Sequence, residues 1–259
     1  MPNKTIHYCW FGGNPLPETV VKCMKTWAHF CPDYEIIRWD ETNFDVGCCD
    51  YVREAYEAKK WAFVSDYCRF YVLYHYGGIY LDTDVELLKS LDGLPDTFIG
   101  FENWSSCASG LIRGAQPGDK VCAMMLESYR KDHFALGNGR YNTKTVCQRE
   151  TGILVEQGLL LNGRQQFVAN THVYPVEYFC PKNYYTQEQN ITDNTYSIHH
   201  YDASWYTEED RFAVQLRDKY RKILPAKLAI KAAKIEAIIK MRGAIAALTD
   251  VAAYVFCRK

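Results

Sequence analysis

Two carboxylates, Asp82 and Asp84, stand two residues apart directly after the apolar triplet Ile79-Tyr80-Leu81. Residues i and i+2 of an extended chain point to the same side, so the pair can converge on one hard divalent cation. A second pair, Asp66 and Arg69, lies three apart inside the apolar run 61–76 and so shares one face of a helix. Far downstream, His199-His200 follow the apolar Ile198. A neutral imidazole can complete a metal site that carboxylates begin. Neighbours on a strand point to opposite faces, so at most one of the two ligates: His199 is favoured, His200 comes second. An isolated Asp-x-Asp is usually a solvated turn or a helix cap. Here the buried-looking strand before it, and the Asp/Arg pair on the preceding helix, argue for a built site.

The elements that must position these groups are legible around them. Residues 61–76 are apolar and aromatic nearly all round, which fits a buried helix. Gly77-Gly78 supplies positive-φ residues to end it, and Ile79 to Leu81 form a short buried strand. Ligands of open α/β sheets gather beyond the carboxyl ends of strands, where Asp82 and Asp84 fall. Upstream, Thr5 to Trp10 read as a strand entering Gly12-Gly13, Glu18 to His29 as a helix and Glu35 to Trp39 as a second strand. Asp40 and Asp45 follow that strand. Downstream, strands are expected at Thr97 to Phe101, Leu111 to Arg113 and Val173 to Phe179, and a helix over Lys120 to Lys131.

The string Ala62, Ser65, Asp66, Arg69, Leu73, Gly77, Gly78, Tyr80, Asp82, Asp84 resembles the core of glycosyltransferase family 32, the DXD-containing sugar transferases, whose members include capsular-polysaccharide transferases. The resemblance implies a GT-A-type α/β fold, with a mixed, mainly parallel sheet flanked by helices. It also implies a nucleotide-sugar donor, Mn²⁺ or Mg²⁺ as cofactor, and retention of anomeric configuration. A UDP-hexose donor is preferred, with GDP-mannose the alternative, and the acceptor would be a saccharide or a lipid-linked saccharide. By the same resemblance Trp10 matches a residue that stacks on the donor's base, and Ile-His-x-x-Trp-x-Gly is the family's opening. Asp66, Arg69, Asp82 and Asp84 carry the catalytic role, and Tyr80 adds to the donor site. The string His199-His200 through Ser204-Trp205 resembles the family's closing signature, with Ser204 on a phosphate and Trp205 walling the donor pocket. Residues 102–110 would cover the acceptor side. Thr151-Gly152 stands where relatives have Thr-Gly-Pro; Ile153 replaces the proline.

Composition narrows the classes. The chain has 259 residues, 48% of them hydrophobic, enough for a full core in one domain with appendages. A net charge of −1 points away from nucleic acid. Eleven cysteines without a CxxC pair suggest neither a zinc site nor a disulfide framework, so reduced thiols and a cytoplasmic protein are expected. No leader or spanning segment is read at the start. Residues 1–218 are read as the catalytic domain and 219–259 as a basic helical tail. In that tail Lys227, Lys231 and Lys234 fall on one helical face, while Leu228, Ala232, Ile235 and Ile239 fall on another. Such a helix either lies on an anionic membrane surface, here the inner face, or packs on the catalytic domain. Two rival functions are a haloacid-dehalogenase-type phosphatase, whose Asp-x-Asp also follows a strand, and a catalytically silent glycan-binding scaffold. Glu86, where the phosphatase motif has Thr or Val, disfavours the first; the intact Asp/Arg set disfavours the second.

Overall fold

The structure is a computed structural model that describes residues 3–184, 187–201 and 208–243. The chain divides into two compact units, Met1–Asn183 with Glu188–Asp202, and Tyr184–Gln187 with Ala203–Lys259.

In the first unit the elements follow as β1 (Thr5–Cys9), α1 (Glu18–Phe30), β2 (Glu35–Trp39), α2 (Asp50–Glu57), α3 (Trp61–Tyr76), β3 (Gly78–Tyr80) and β4 (Val85–Leu87). Then come β5 (Phe98–Asn103), β6 (Ser106–Cys107), β7 (Arg113–Ala115), α4 (Lys120–Arg130), α5 (Val146–Glu156), β8 (Gln166–Val168), β9 (Thr171–Tyr174), α6 (Val176–Phe179) and β10 (Ser197–His199). Seven strands of the main sheet run in the order β2-β1-β3-β7-β5-β9-β8, with β6 paired to β5. Following the pairings, β1, β2, β3, β5 and β9 point one way, and β6, β7 and β8 run against them. This is the mixed, mainly parallel α/β sheet that the sequence leads one to expect.

Helix α3 buries Val64, Tyr67, Cys68, Phe70, Val72 and Leu73, together with Asp66 and Arg69. Its apolar side chains join Tyr51, Val52, Tyr80, Met125 and Tyr129 in the largest core cluster. Gly77 closes the helix at φ 67°, its N–H on the carbonyl of Leu73. At Gly78, φ is +90° and an added Cβ would lie 2.7 Å from the carbonyl oxygen of Thr5. Only glycine lets the chain turn there and pair β3 directly with β1. His7 of β1 locks the same turn. Its Nδ1 accepts from the indole N–H of Trp39 at 3.0 Å, and its Nε2–H donates to the Gly77 carbonyl at 2.9 Å. An indole nitrogen only donates, so the tautomer follows.

Two expectations need correction. The strand read at Val173 to Phe179 ends at Tyr174, because Pro175, without an N–H and at φ −59°, starts helix α6. The strand read at Leu111 to Arg113 begins only at Arg113, as β7; Leu111 and Ile112 form the turn before it. Helix α5 was not anticipated at all. Thr145 and Gln148 form a capping box at its start.

The second unit holds α7 (Glu208–Tyr220) and α8 (Ala226–Arg242), so it takes in more chain than the 219–259 tail. They pack through Leu216, Ala233 and Ala237, with Phe212, Ala213 and Tyr220 around them. The short-chained face of α8, including Ala229, is the buried one, whereas Leu228, Ile235 and Ile239 are exposed, as are Lys231 and Lys234. Among the described residues no helix is long and apolar enough to cross a membrane.

Candidate active site

Asp82 leaves the end of β3 with its backbone N–H on the carbonyl of Gly110, 3.1 Å away. Its Oδ1 accepts from the Tyr80 hydroxyl at 3.0 Å and lies 3.3 Å from Nη2 of Arg69. That same Nη2 donates to Oδ1 of Asp66 at 2.8 Å, so one guanidinium joins the helix carboxylate to the loop carboxylate. Arg69 sits 4.8 Å over the Tyr80 ring and is 5% exposed, whereas the Asp82 side chain is 29% exposed. Burial pushes the Asp66 carboxyl up to about 6, against the pull of Arg69 and with a further push from Asp82. Nη1 of Arg69 is buried and has no hydrogen-bond partner. Space around this group is kept by Gly110, where an added Cβ would fall 2.1 Å from Oδ2 of Asp82 and 3.1 Å from Arg69 Nη1.

Asp84 is reached from the far end of the unit. Strands β4 and β10 pair antiparallel, with His199 opposite Val85. This puts Nε2 of His199 3.1 Å from Oδ1 of Asp84, and the His200 N–H on the Asp84 carbonyl at 3.0 Å. Burial opposes charge on His199, but Asp84, Asp82 and Glu102 outweigh it and raise the imidazole above its ordinary range. Its Nδ1 is buried without a hydrogen-bond partner. The ring of His200 goes to Oε2 of Glu86, 2.7 Å away. The structure therefore brings His199 to the Asp-x-Asp pair and holds His200 elsewhere, as the alternation of a strand requires.

The donor set, two carboxylates and an imidazole nitrogen, is chemically suited to Mn²⁺ or Mg²⁺. The expected set is Asp82 and Asp84 with one imidazole, His199 favoured over His200. Among the described residues no three His, Cys, Asp or Glu side chains come together as a metal cluster, because Asp82 is tied to Arg69 and Asp84 to His199.

Trp10 stands just past β1, half-buried, its N–H on the Trp39 carbonyl and its indole N–H on the carbonyl of Asn14 at 2.7 Å. Asp40 is occupied locally, paired with Arg38 at 2.8 Å and bonded to Thr42. Ser204 and Trp205 lie outside the described residues. Thr151 is buried on α5, and its hydroxyl accepts the Cys107 N–H at 3.0 Å, which anchors β6. Sequence reasoning missed Glu102. It is a carboxyl that burial pushes upward while His199 holds it down, hydrogen-bonded to Tyr201 and Ser106 and within the field of Asp82. The available signal was an acid closing the apolar run Phe98 to Phe101. Tyr201, at φ 59°, lies with its ring 4.3 Å from that of His199. The centre is thus framed by α3, the β3–β4 turn, the β5–β6 hairpin and β10.

Residues 17–102 match the family model described as a glycosyltransferase sugar-binding region containing a DXD motif. That span includes Asp66, Arg69, Tyr80, Asp82 and Asp84 and ends on Glu102. Over 95 residues, 35% of this chain, the sequence is 37% identical to inositol phosphoceramide mannosyltransferase 3 of Schizosaccharomyces pombe (strain 972 / ATCC 24843). The matched part is 26% of that relative's length. Among solved structures, the chain is similar to PaToxG glycosyltransferase, with a TM-score of 0.47 and 18% identity, over 61% of this chain and 70% of that one.

Proposed function

We propose that the chain, whose residues 17–102 match the DXD-containing glycosyltransferase sugar-binding family model, transfers a hexose from a nucleotide-diphosphate sugar, with retention, to a saccharide acceptor. The observation that carries this reading is the Arg69 guanidinium. It is buried, it is shared between Asp66 and Asp82, and it keeps Nη1, with both its N–H groups, without an acceptor beside a space that Gly110 leaves open. A buried unpartnered donor is costly, and a phosphate or sugar oxygen would relieve it. In the transfer, the bond from the anomeric carbon to the diphosphate oxygen breaks and a bond to the acceptor hydroxyl forms. The leaving oxygen gains charge and takes the acceptor's proton. Arg69 would stabilise that charge where it develops. Asp66 would accept from sugar hydroxyls and fix the donor in its reactive geometry. Trp10 would stack on the base. Asp82, Asp84 and His199 would hold a divalent cation, which supplies positive charge against the leaving diphosphate.

The test is hydrolysis and transfer with UDP-glucose, UDP-galactose and GDP-mannose in the presence of Mn²⁺. Asp84→Asn should lower kcat by about a hundredfold, the loss typical of removing one stabiliser of developing charge, and leave the circular dichroism of the protein unchanged. Near-wild-type turnover of Asp84→Asn at saturating Mn²⁺ would remove the metal from this reading.

We further propose that α8 holds the enzyme at the anionic inner face of a membrane, where a lipid-linked acceptor would be met. The support is the exposed stripe of Leu228, Ile235 and Ile239 with the exposed lysines 231 and 234 on the same helix. Each lysine near such a surface contributes about 1 kcal/mol, which makes attachment reversible and salt-sensitive. Wild type should sediment with phosphatidylserine vesicles at low salt and come off as salt rises. Changing Lys227, Lys231 and Lys234 together to Glu should abolish this without unfolding the protein. Wild type that ignores the vesicles ends the idea.

A further inference from the structure

We propose that Trp104 is the platform on which the acceptor saccharide stacks beside the reacting centre, an inference that rests on the transferase reading above. Trp104 is 77% exposed, the most exposed of the large hydrophobic side chains described. It occupies the tip of the β5–β6 hairpin, and that tip is locked. Oδ1 of Asn103 accepts from the Ser105 N–H at 2.9 Å and from its hydroxyl at 2.8 Å, while Nδ2 donates to the Ser106 hydroxyl at 2.7 Å. One flank of the indole faces Gly163, at φ +66°, where an added Cβ would lie 3.7 Å from it. The loop carrying Gly163 is held as well, for Gln166 bonds both the N–H and the carbonyl of Leu160 at 2.9 Å. An aromatic ring fixed in the open loses little freedom when something stacks on it, the condition under which its large contact area becomes affinity.

Its position names the occupant. Strand order places β1, which leads into Trp10, on one side of β3 and β5 on the other, across β7. A donor based on Trp10 therefore approaches the Asp-x-Asp turn from the side opposite Trp104. On β5, two residues before Trp104, Glu102 lies half-buried in the field of His199 and Asp82. Two residues of extended chain span about 7 Å, close to the length of one sugar ring. A molecule resting on Trp104 can thus reach the centre with its next ring. The border of the indole is polar: Asn103, Ser105 and Ser106 surround it on the hairpin. A sugar offers an apolar C–H face with hydroxyls around its rim and matches that pattern. An acyl chain requires continuous apolar surface, and among the described residues the exposed large apolar side chains within four positions of Gly163 are the separate Leu160, Leu161 and Phe167, 64%, 48% and 61% exposed.

The experiment titrates the full-length protein with methyl α-glucoside, methyl α-galactoside, methyl α-mannoside and lactose, read by saturation-transfer NMR, alongside acceptor kinetics with the same sugars. Trp104→Ala should raise Kd and acceptor KM about tenfold for whichever sugar binds wild type, with the loss on KM rather than kcat and no change in donor KM. Trp104→Phe should recover most of the binding. The proposal is overturned if Trp104→Ala binds sugars as wild type does, if wild type binds none of the four, if only dodecyl glycosides respond to the substitution, or if the substitution changes the sedimentation mass, which would make the tip a contact between copies. Failure of wild type to turn over any donor would instead sink the transferase reading, and the direct titration would still decide for or against Trp104.

Discussion

Among the described residues four arginines are buried, and two of them, Arg69 and Arg113, are each set between two acids and end differently. Arg113, 0% exposed, donates through Nη1 to the carbonyls of Phe98 and Gly114 at 3.1 and 3.2 Å and through Nη2 to Asp119 at 3.3 Å. Its Nε faces Glu150 at 3.2 Å. Both terminal nitrogens of that fork end in hydrogen bonds to the protein, two of them on backbone, while Nε meets Glu150 as an ion pair without a hydrogen bond. It ties β7, the cap of α4 and the middle of α5 into one block. Arg69 has the same neighbours in kind, Asp66 and Asp82, but one arm ends on nothing and the second acid faces the open centre. The structural arginine spends both terminal nitrogens on its own fold. The site arginine leaves Nη1, with its two N–H groups, unspent.

Removing Arg113 should give the largest effect. Arg113→Leu leaves Glu150 and Asp119 buried without their cation, a defect of about 3–5 kcal/mol. Thermal unfolding should show it as a fall in Tm of roughly 10 °C, with donor affinity of the folded protein unaltered. Arg69→Lys keeps the charge and loses the planar fork, so the smaller cost should appear in chemistry: kcat/KM down about a hundredfold, Tm within a few degrees of wild type. Melting curves and donor titrations on both variants test the contrast directly. If Arg69→Lys melts as early as Arg113→Leu and binds donor normally, the two arginines are of one kind and the site assignment falls.

What the sequence disclosed follows the same line. Asp66, Arg69, Gly77, Gly78, Asp82 and Asp84 could be read because helix, turn, strand and carboxylates are consecutive, and local spacing alone sets their geometry. His199 was legible as the residue after an apolar one, and the β4–β10 pairing delivers it to Asp84. The partners of the two carboxylates were not legible, since a string cannot show that Asp82 bonds Arg69 and Asp84 bonds His199. Glu102 was missed because its importance comes from burial next to Tyr201, ninety-nine positions away in the chain. Helix α6 was hidden by an apolar run that suited a strand until Pro175 is weighed. The tail was half readable: both faces of α8 were visible, but its buried face carries small alanines with Ile238, not Leu228, Ile235 and Ile239.

His7 gives the fold a dependence on protons that has nothing to do with catalysis. Both ring nitrogens are committed, to Trp39 and to Gly77, and burial lowers its pKa from 6.5 to about 4, with the Gly77 bond working the other way. The unfolded chain therefore takes up a proton that the folded chain refuses. Stability from this residue is complete above about pH 6.5 and drains away as pH falls toward 4, to the extent of about 3 kcal/mol. His7→Gln, followed by urea unfolding from pH 7 to pH 4, should flatten that slope; parallel curves for the two proteins would show that the acid sensitivity lies elsewhere. The refused proton would go to Nδ1 and break the bond from Trp39, while the donation to Gly77 survives. Mild acid therefore acts first on the tie between β1 and the end of β2, beside Trp10, whose N–H rests on the Trp39 carbonyl.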